Sequence, residues 1–140
     1  MENIIYIGTI VSPFTGFYEN AVFKMNNGVY WIQSKYTYWY HYAYRPKAVI
    51  AKESDQCVLT VAEHSVPVKR LNDVIESQID GTFEGWDGNK TYKLTNGQVW
   101  QQAEYKYEYK YAYRPDVVIY NIGGRYIMAV DGTIAYVRRV

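Results

Sequence analysis

Two stretches of the chain carry tyrosine at every second position. Tyr36, Tyr38, Tyr40, Tyr42 and Tyr44 lie in YTYWYHYAYRP, and Tyr105, Tyr107, Tyr109, Tyr111 and Tyr113 lie in YKYEYKYAYRP. A row of phenols has one obvious chemical use. The rings stack on bases, on sugar faces or on proline rings, while the hydroxyls reach polar groups. Trp39 and His41 sit between the tyrosines of the first run, and Arg45 and Arg114 end the two runs, so each run also offers a guanidinium. Tyr107 and Tyr109 form the centre of the second run. The competing explanation is packing, with the rings covering one side of a curved sheet or filling a seam between two parts of the chain. Packing is the favoured explanation, because ten tyrosines exceed what one platform needs.

The residues between the tyrosines differ between the runs. Lys106, Glu108 and Lys110 read as a solvated strand face with cross-strand charge pairs. Thr37, Trp39 and His41 stand at the matching places of the first run, which makes that outer face the better candidate for binding. Gln98, Gln101 and Gln102 beside Trp100 offer amides to a polar ligand. The favoured alternative makes Trp31 and Trp100 core residues, with the glutamines at an edge or turn. Catalytic signals are weak. The two histidines, His41 and His64, fall on different elements, and their spacing suggests neither a metal site nor a Ser-His-Asp arrangement. Cys57 is alone, falls on an expected strand and reads as a packed side chain. There is no phosphate loop, dinucleotide fingerprint or HExxH motif. The expectation is a non-catalytic protein with no cofactor and no metal. Its contact residues would be drawn from Trp39, His41, Arg45, Tyr107, Tyr109, Arg114, Gln98 and Gln102.

The elements that must position these residues follow from periodicity. Alternate residues of a strand point to opposite faces, so each run places five phenols on one face, whereas a helix would scatter them. Shifted by 69 positions, the sequence falls on itself without a gap. Asn27-Gly28 meets Asn96-Gly97, Trp31 meets Trp100, Gln33 meets Gln102, and Ala43-Tyr44-Arg45-Pro46 meets Ala112-Tyr113-Arg114-Pro115. Two repeats, 1–70 and 71–140, are expected, with no Pro/Gly/Ser-rich linker between them.

Each repeat reads as about five to seven short strands punctuated by turns. Asn96-Gly97 predicts a type I′ hairpin turn, with both residues at positive φ. Arg114-Pro115 ends the tyrosine strand, with Arg114 held extended by the proline that follows. In the first repeat Ser54-Asp55 and Ala62-Glu63 replace Gly123-Gly124 and Asp131-Gly132, so longer or less regular turns are expected there. The segment from Asn72 to Ile79 reads as a strand preceded by at most one helical turn. The expected architecture is all-β: two tandem small antiparallel β-barrels, of the Src-homology type or similar, related by the internal repeat.

Composition bounds the partners. The net charge of +1 argues against gripping duplex nucleic acid by bulk charge, and a single cysteine permits no internal disulfide. No stretch reads as a membrane span or a secretory signal, so a cytoplasmic setting is expected. The run IDGTFEGWDGNKTYKLTNGQVWQQ, followed by YAYRPDVVIY and VDGTIAYVRRV, resembles a family of small uncharacterised bacterial β-barrel proteins, single or duplicated, some of them cassette-borne. The first repeat departs from that pattern, with Phe17-Tyr18-Glu19 for Trp86-Asp87-Gly88. The resemblance implies a β-barrel and supplies no catalytic residue. The functional expectation is a binding or adaptor module for an unknown protein, peptide or other ligand. The alternative is a structural protein that self-associates through its tyrosine strands.

Overall fold

The computed structural model describes residues 3–140 and contains only strands and turns. The chain divides into two compact units, Met1–Asn72 and Asp73–Val140. The first holds β1 (Asn3–Thr9), β2 (Phe14–Phe17), β3 (Val22–Lys24), β4 (Tyr30–Gln33), β5 (Trp39–Ala43), β6 (Lys47–Glu53), β7 (Gln56–Val61) and β8 (His64–Leu71). The second holds β9 (Ile75–Gln78), β10 (Thr82–Asp87), β11 (Thr91–Lys93), β12 (Val99–Gln102), β13 (Tyr107–Tyr113), β14 (Asp116–Ile122), β15 (Arg125–Val130) and β16 (Thr133–Arg139). Among the described residues each unit thus carries eight short strands, more than the five to seven expected. The segment from Asn72 to Ile79, read as a strand, holds β9.

In the first unit six strands form an antiparallel sheet in the order β1-β6-β7-β8-β4-β3, and β2 pairs with β5 as a separate ribbon. The second unit has the corresponding order, β9-β14-β15-β16-β12-β11, with the ribbon β10-β13. Each six-stranded sheet curls until its edges meet. Ile10 bridges Met25 in one unit, and Ile79 bridges Leu94 in the other. Around the first bridge the Val11 N–H donates to the Lys24 carbonyl at 2.8 Å, and the Asn26 N–H donates to the Thr9 carbonyl at 2.9 Å. The ribbon lies over the curled sheet, and the core fills the space between. Phe14, Phe17, Phe23, Trp31, Ile50 and Leu59 are buried in the first unit; Phe83, Trp86, Tyr92, Trp100, Ile119 and Met128 are buried in the second. Each such side chain contributes about 1.5–3 kcal/mol by leaving water.

Each ribbon is kinked at one place. Between Gly85↔Tyr109 and Phe83↔Ala112 the register slips by one residue, so β13 carries a bulge. Gly85 sits there at φ 95°, and a Cβ on it would lie 1.9 Å from the Glu108 carbonyl oxygen. Only glycine lets the two backbones approach so closely. Gly16 occupies the same place in the first unit, against the Trp39 carbonyl.

Several turn expectations are corrected. Asn96 does not adopt a positive φ, whereas Gly97 does, at 88°. The Gly97 N–H donates to the Leu94 carbonyl at 3.0 Å, and the Leu94 N–H to the Gln98 carbonyl at 2.9 Å. The loop is therefore three residues long, a turn through Thr95-Asn96 completed by left-handed Gly97, and not the two-residue type I′ turn. Arg114 is not extended either. Its φ is 49°, Arg45 matches it at 47°, and the Arg114 N–H is satisfied by the Gly81 carbonyl at 2.8 Å. The turns of the first unit keep their length: Glu53 pairs with Gln56, and Val61 with His64. The absent glycines leave backbone strain instead. Ala62 and Glu63 both take positive φ, 48° and 69°.

That strain gives a test. Glu63→Gly relieves a left-handed non-glycine residue at an exposed turn and should stabilise the first unit by about 1 kcal/mol. A higher urea midpoint at unchanged slope is the expected result; an unchanged or lower midpoint is the contrary one.

Candidate binding surface: the tyrosine ladders

The ladders begin where two buried glutamines hold the chain. Gln102 is 2% exposed, and every bond of its amide stays inside the unit. Its Oε1 accepts the Asp87 N–H at 3.0 Å and the Gly88 N–H at 3.1 Å. Its Nε2 donates to the Glu104 carbonyl at 3.0 Å and the Lys106 carbonyl at 2.8 Å. The amide thus ties the end of β10 to the chain entering β13. Gln33 does the same in the first unit, accepting from the Tyr18 N–H and donating to the Lys35 and Thr37 carbonyls. Gln102 is therefore a structural staple, and Gln98 accepts from the Trp100 indole N–H at 3.1 Å. The Gln102 amide is thus fully engaged inside the unit, whereas Gln98 is half-buried beside Trp100. Trp31 and Trp100 are core, as favoured.

Past the staple the phenols point outward. Tyr40 and Tyr42 lie on β5, and Tyr107, Tyr109, Tyr111 and Tyr113 lie on β13. Tyr36, Tyr38 and Tyr105 precede the strands and Tyr44 follows β5, so neither run is one continuous strand. All ten are between 60% and 89% exposed. The rings are therefore not packed into either unit's core. Tyr105 and Tyr107 brace each other edge to face at 5.0 Å. Arg45 and Arg114 are exposed at the far ends of the ladders, and Arg45 lies 5.7 Å from the Tyr44 ring.

The alternate face, expected outside, is turned toward the sheet and half-covered, with Trp39 and His41 half-buried. Trp39 packs on the core, 5.0 Å from Phe17 and 6.3 Å from Phe14. The His41 imidazole lies parallel to its indole at 4.8 Å, and the His64 imidazole does so at 3.9 Å. Trp39 and His41 thus hold the ribbon to the sheet. In the second unit polar groups take these places. The Trp86 indole N–H donates to Thr133 Oγ1 at 2.9 Å, and that hydroxyl donates to Glu108 Oε1 at 2.9 Å. Lys106 Nζ lies 3.7 Å from Glu108 and donates to the Ile134 carbonyl. Lys106 and Glu108 are therefore tied to β16, while Glu108 stays exposed and Lys106 and Lys110 partly exposed, so this face remains in part solvated. No group of three His, Cys, Asp or Glu among the described residues is placed to hold a metal ion.

A groove of about 420 Å3 opens on the outer side of the second ribbon. Gly85 lies in it without a side chain, and Tyr107, Tyr109, Glu84, Asp87, Lys90 and Glu108 line it. Tyr107 stands against Gly88, where an added Cβ would lie 2.8 Å from its hydroxyl. The pattern of tyrosines gave no sign of this groove, because β10 supplies half of it. Beneath, the buried Tyr92 hydroxyl donates to the Gly85 carbonyl at 2.7 Å. Burial raises the Tyr92 pKa well above its ordinary value, and Asp87 adds to the rise.

A tyrosine whose native pKa is raised stabilises the fold fully below its ordinary pKa of about 10 and loses that contribution as the pH climbs toward the native value. Tyr92→Phe should therefore cost about 1 kcal/mol at neutral pH, and the gap from the parent protein should narrow above about pH 10. Urea unfolding across that range checks it; a constant or widening gap contradicts it. No family model, curated protein or solved structure matches the chain.

Proposed function

We propose that the protein is a non-catalytic binding module and that its tyrosine ladders, each ended by an arginine, are the contact surface. The observation that carries this is the exposure of all ten phenols of the two runs. Large rings in such numbers leave the interior only at an energetic disadvantage, and contiguous exposed aromatic surface marks sites of interaction. The geometry also favours an extended partner. Alternate residues of a strand are about 6.7 Å apart, so the four rings on β13 make a line of about 20 Å. A stretched polymer with repeated apolar or flat groups fits such a line better than a compact small molecule does. The strained Arg45 and Arg114 support the same surface, since left-handed backbone at a non-glycine residue gathers where function requires it.

Self-association is a second reading, favoured by one observation: β5 and β13 each pair on one side only. A free strand edge is a template for another strand, although a bulge and Lys110 on β13 weaken it.

Tyr107→Ser with Tyr109→Ser tests the main proposal. Both side chains are exposed, so stability should change by no more than about 0.5 kcal/mol. Titration with panels of short peptides, oligonucleotides and glycans, followed by NMR of the tyrosine rings, should find a ligand of the parent protein whose affinity falls about tenfold or more in the variant. A panel that leaves every ladder resonance unmoved contradicts the proposal. Sedimentation at increasing concentration separates the second reading, which requires a growing dimer.

A further inference from the structure

The two ladders face different chemistry. Beside the second lies the groove over Gly85, lined by Glu84, Asp87, Lys90 and Glu108. The Glu108 carboxylate is turned to Thr133 and Lys106, so Glu84 and Asp87 against Lys90 leave a formal charge of −1. Glu84 and Asp87 are exposed beside two exposed phenols. In the first unit, 69 residues earlier, Thr15, Tyr18 and Trp39 stand where Glu84, Asp87 and Glu108 stand, and Ala21 stands for Lys90. That ladder therefore lacks the acidic flank.

Aromatic faces attract cations through their quadrupole, and carboxylates at the rim add direct attraction. The walls are also held in place. Tyr107 is supported by Gly88 and by the edge of Tyr105, and Gly85 keeps side-chain atoms off the neighbouring backbone. We propose that the groove between β10 and β13 receives the guanidinium or ammonium group of an extended basic peptide, whose remaining residues run along Tyr109, Tyr111 and Tyr113. The occupant is chosen by charge: an acidic or phosphate-bearing chain would meet Glu84 and Asp87, whereas arginine or lysine meets both them and the phenols. The inference rests on the ladder as a contact surface and adds to it the partner's charge.

The test uses the full chain, with NMR shifts read at Gly85, Gly88, Tyr107 and Tyr109. The probes are a short synthetic peptide alternating arginine and threonine, its glutamate–threonine counterpart, a neutral serine–threonine peptide and free arginine. The arginine peptide should bind, weaken with added salt, and lose about tenfold in affinity when Glu84→Gln and Asp87→Asn are combined. Tyr109→Leu, which keeps apolar bulk and removes the phenol face, should weaken it as well. Asp55→Asn, in the first unit, should leave it unchanged. Free arginine should bind more weakly than the peptide. Equal binding of the glutamate peptide, or arginine-peptide binding indifferent to the paired substitutions, would overturn the basic partner. A neutral peptide that matches the arginine peptide at the ladder would also overturn it, while leaving the ladder itself standing as a contact surface. No shift at Tyr107 or Tyr109 with any of these probes overturns the basic partner, and the wider panel of oligonucleotides and glycans then decides the ladder separately.

Discussion

A single buried amide in each unit sets the position of everything on the outer surface. Gln102 and Gln33 each satisfy backbone groups from two segments: the end of one ribbon strand and the approach to the other. Each backbone group left unpaired in the interior would cost about 1–3 kcal/mol, so the staple's several bonds confine the chain to one path. That path fixes the residue at which the ribbon strand begins, and hence which of its faces looks inward. A strand has a period of two, and a shift by one residue would exchange the phenols with Trp39 and His41, or with Glu108 and Lys110.

With the frame fixed, the inward face has found two solutions to one packing problem. Trp39 between the core phenylalanines and the imidazoles of His41 and His64 fills the space with stacked rings. The chain from Trp86 through Thr133 to Glu108 fills it with a hydrogen-bonded series. The first keeps water out through ring contact; the second depends on complete satisfaction of a buried indole N–H. The different interiors also give the outward ladders different neighbours, acids beside one and none of them beside the other. A shared scaffold can thus present two unlike surfaces through changes at a few matching positions.

Periodicity made the strands legible, along with the residues that share a face and the repeated strand plan. It could not say which face is outside. Tyrosine has an apolar body and a polar tip, so a run of tyrosines suits either environment. Lys106, Glu108 and Lys110 read as a wet face and stay at least partly exposed, but their pattern did not show that Lys106 and Glu108 are also held by Ile134 and Thr133. The first run held a better guide: Trp39 and Ala43 alternate with the tyrosines, and an indole has more apolar surface to bury than a phenol. Gln102 was misread for a related reason. Its bonds reach segments far away in sequence, and nothing local distinguishes a staple from a ligand contact. The Asn-Gly and Arg-Pro dipeptides marked turns correctly but not their geometry, because neighbouring hydrogen bonds from Leu94 and Gly81 decide it.

Hydrogen exchange in a Gln102→Leu variant tests the organising role of the amide most directly. The substitution keeps an apolar side chain in the cavity and removes the bonds. Amides of the β10–β13 ladder should exchange about tenfold faster or more, while those of β14, β15 and β16 keep their protection. Unchanged protection across the ribbon would contradict the claim that this buried glutamine holds the ladder in place.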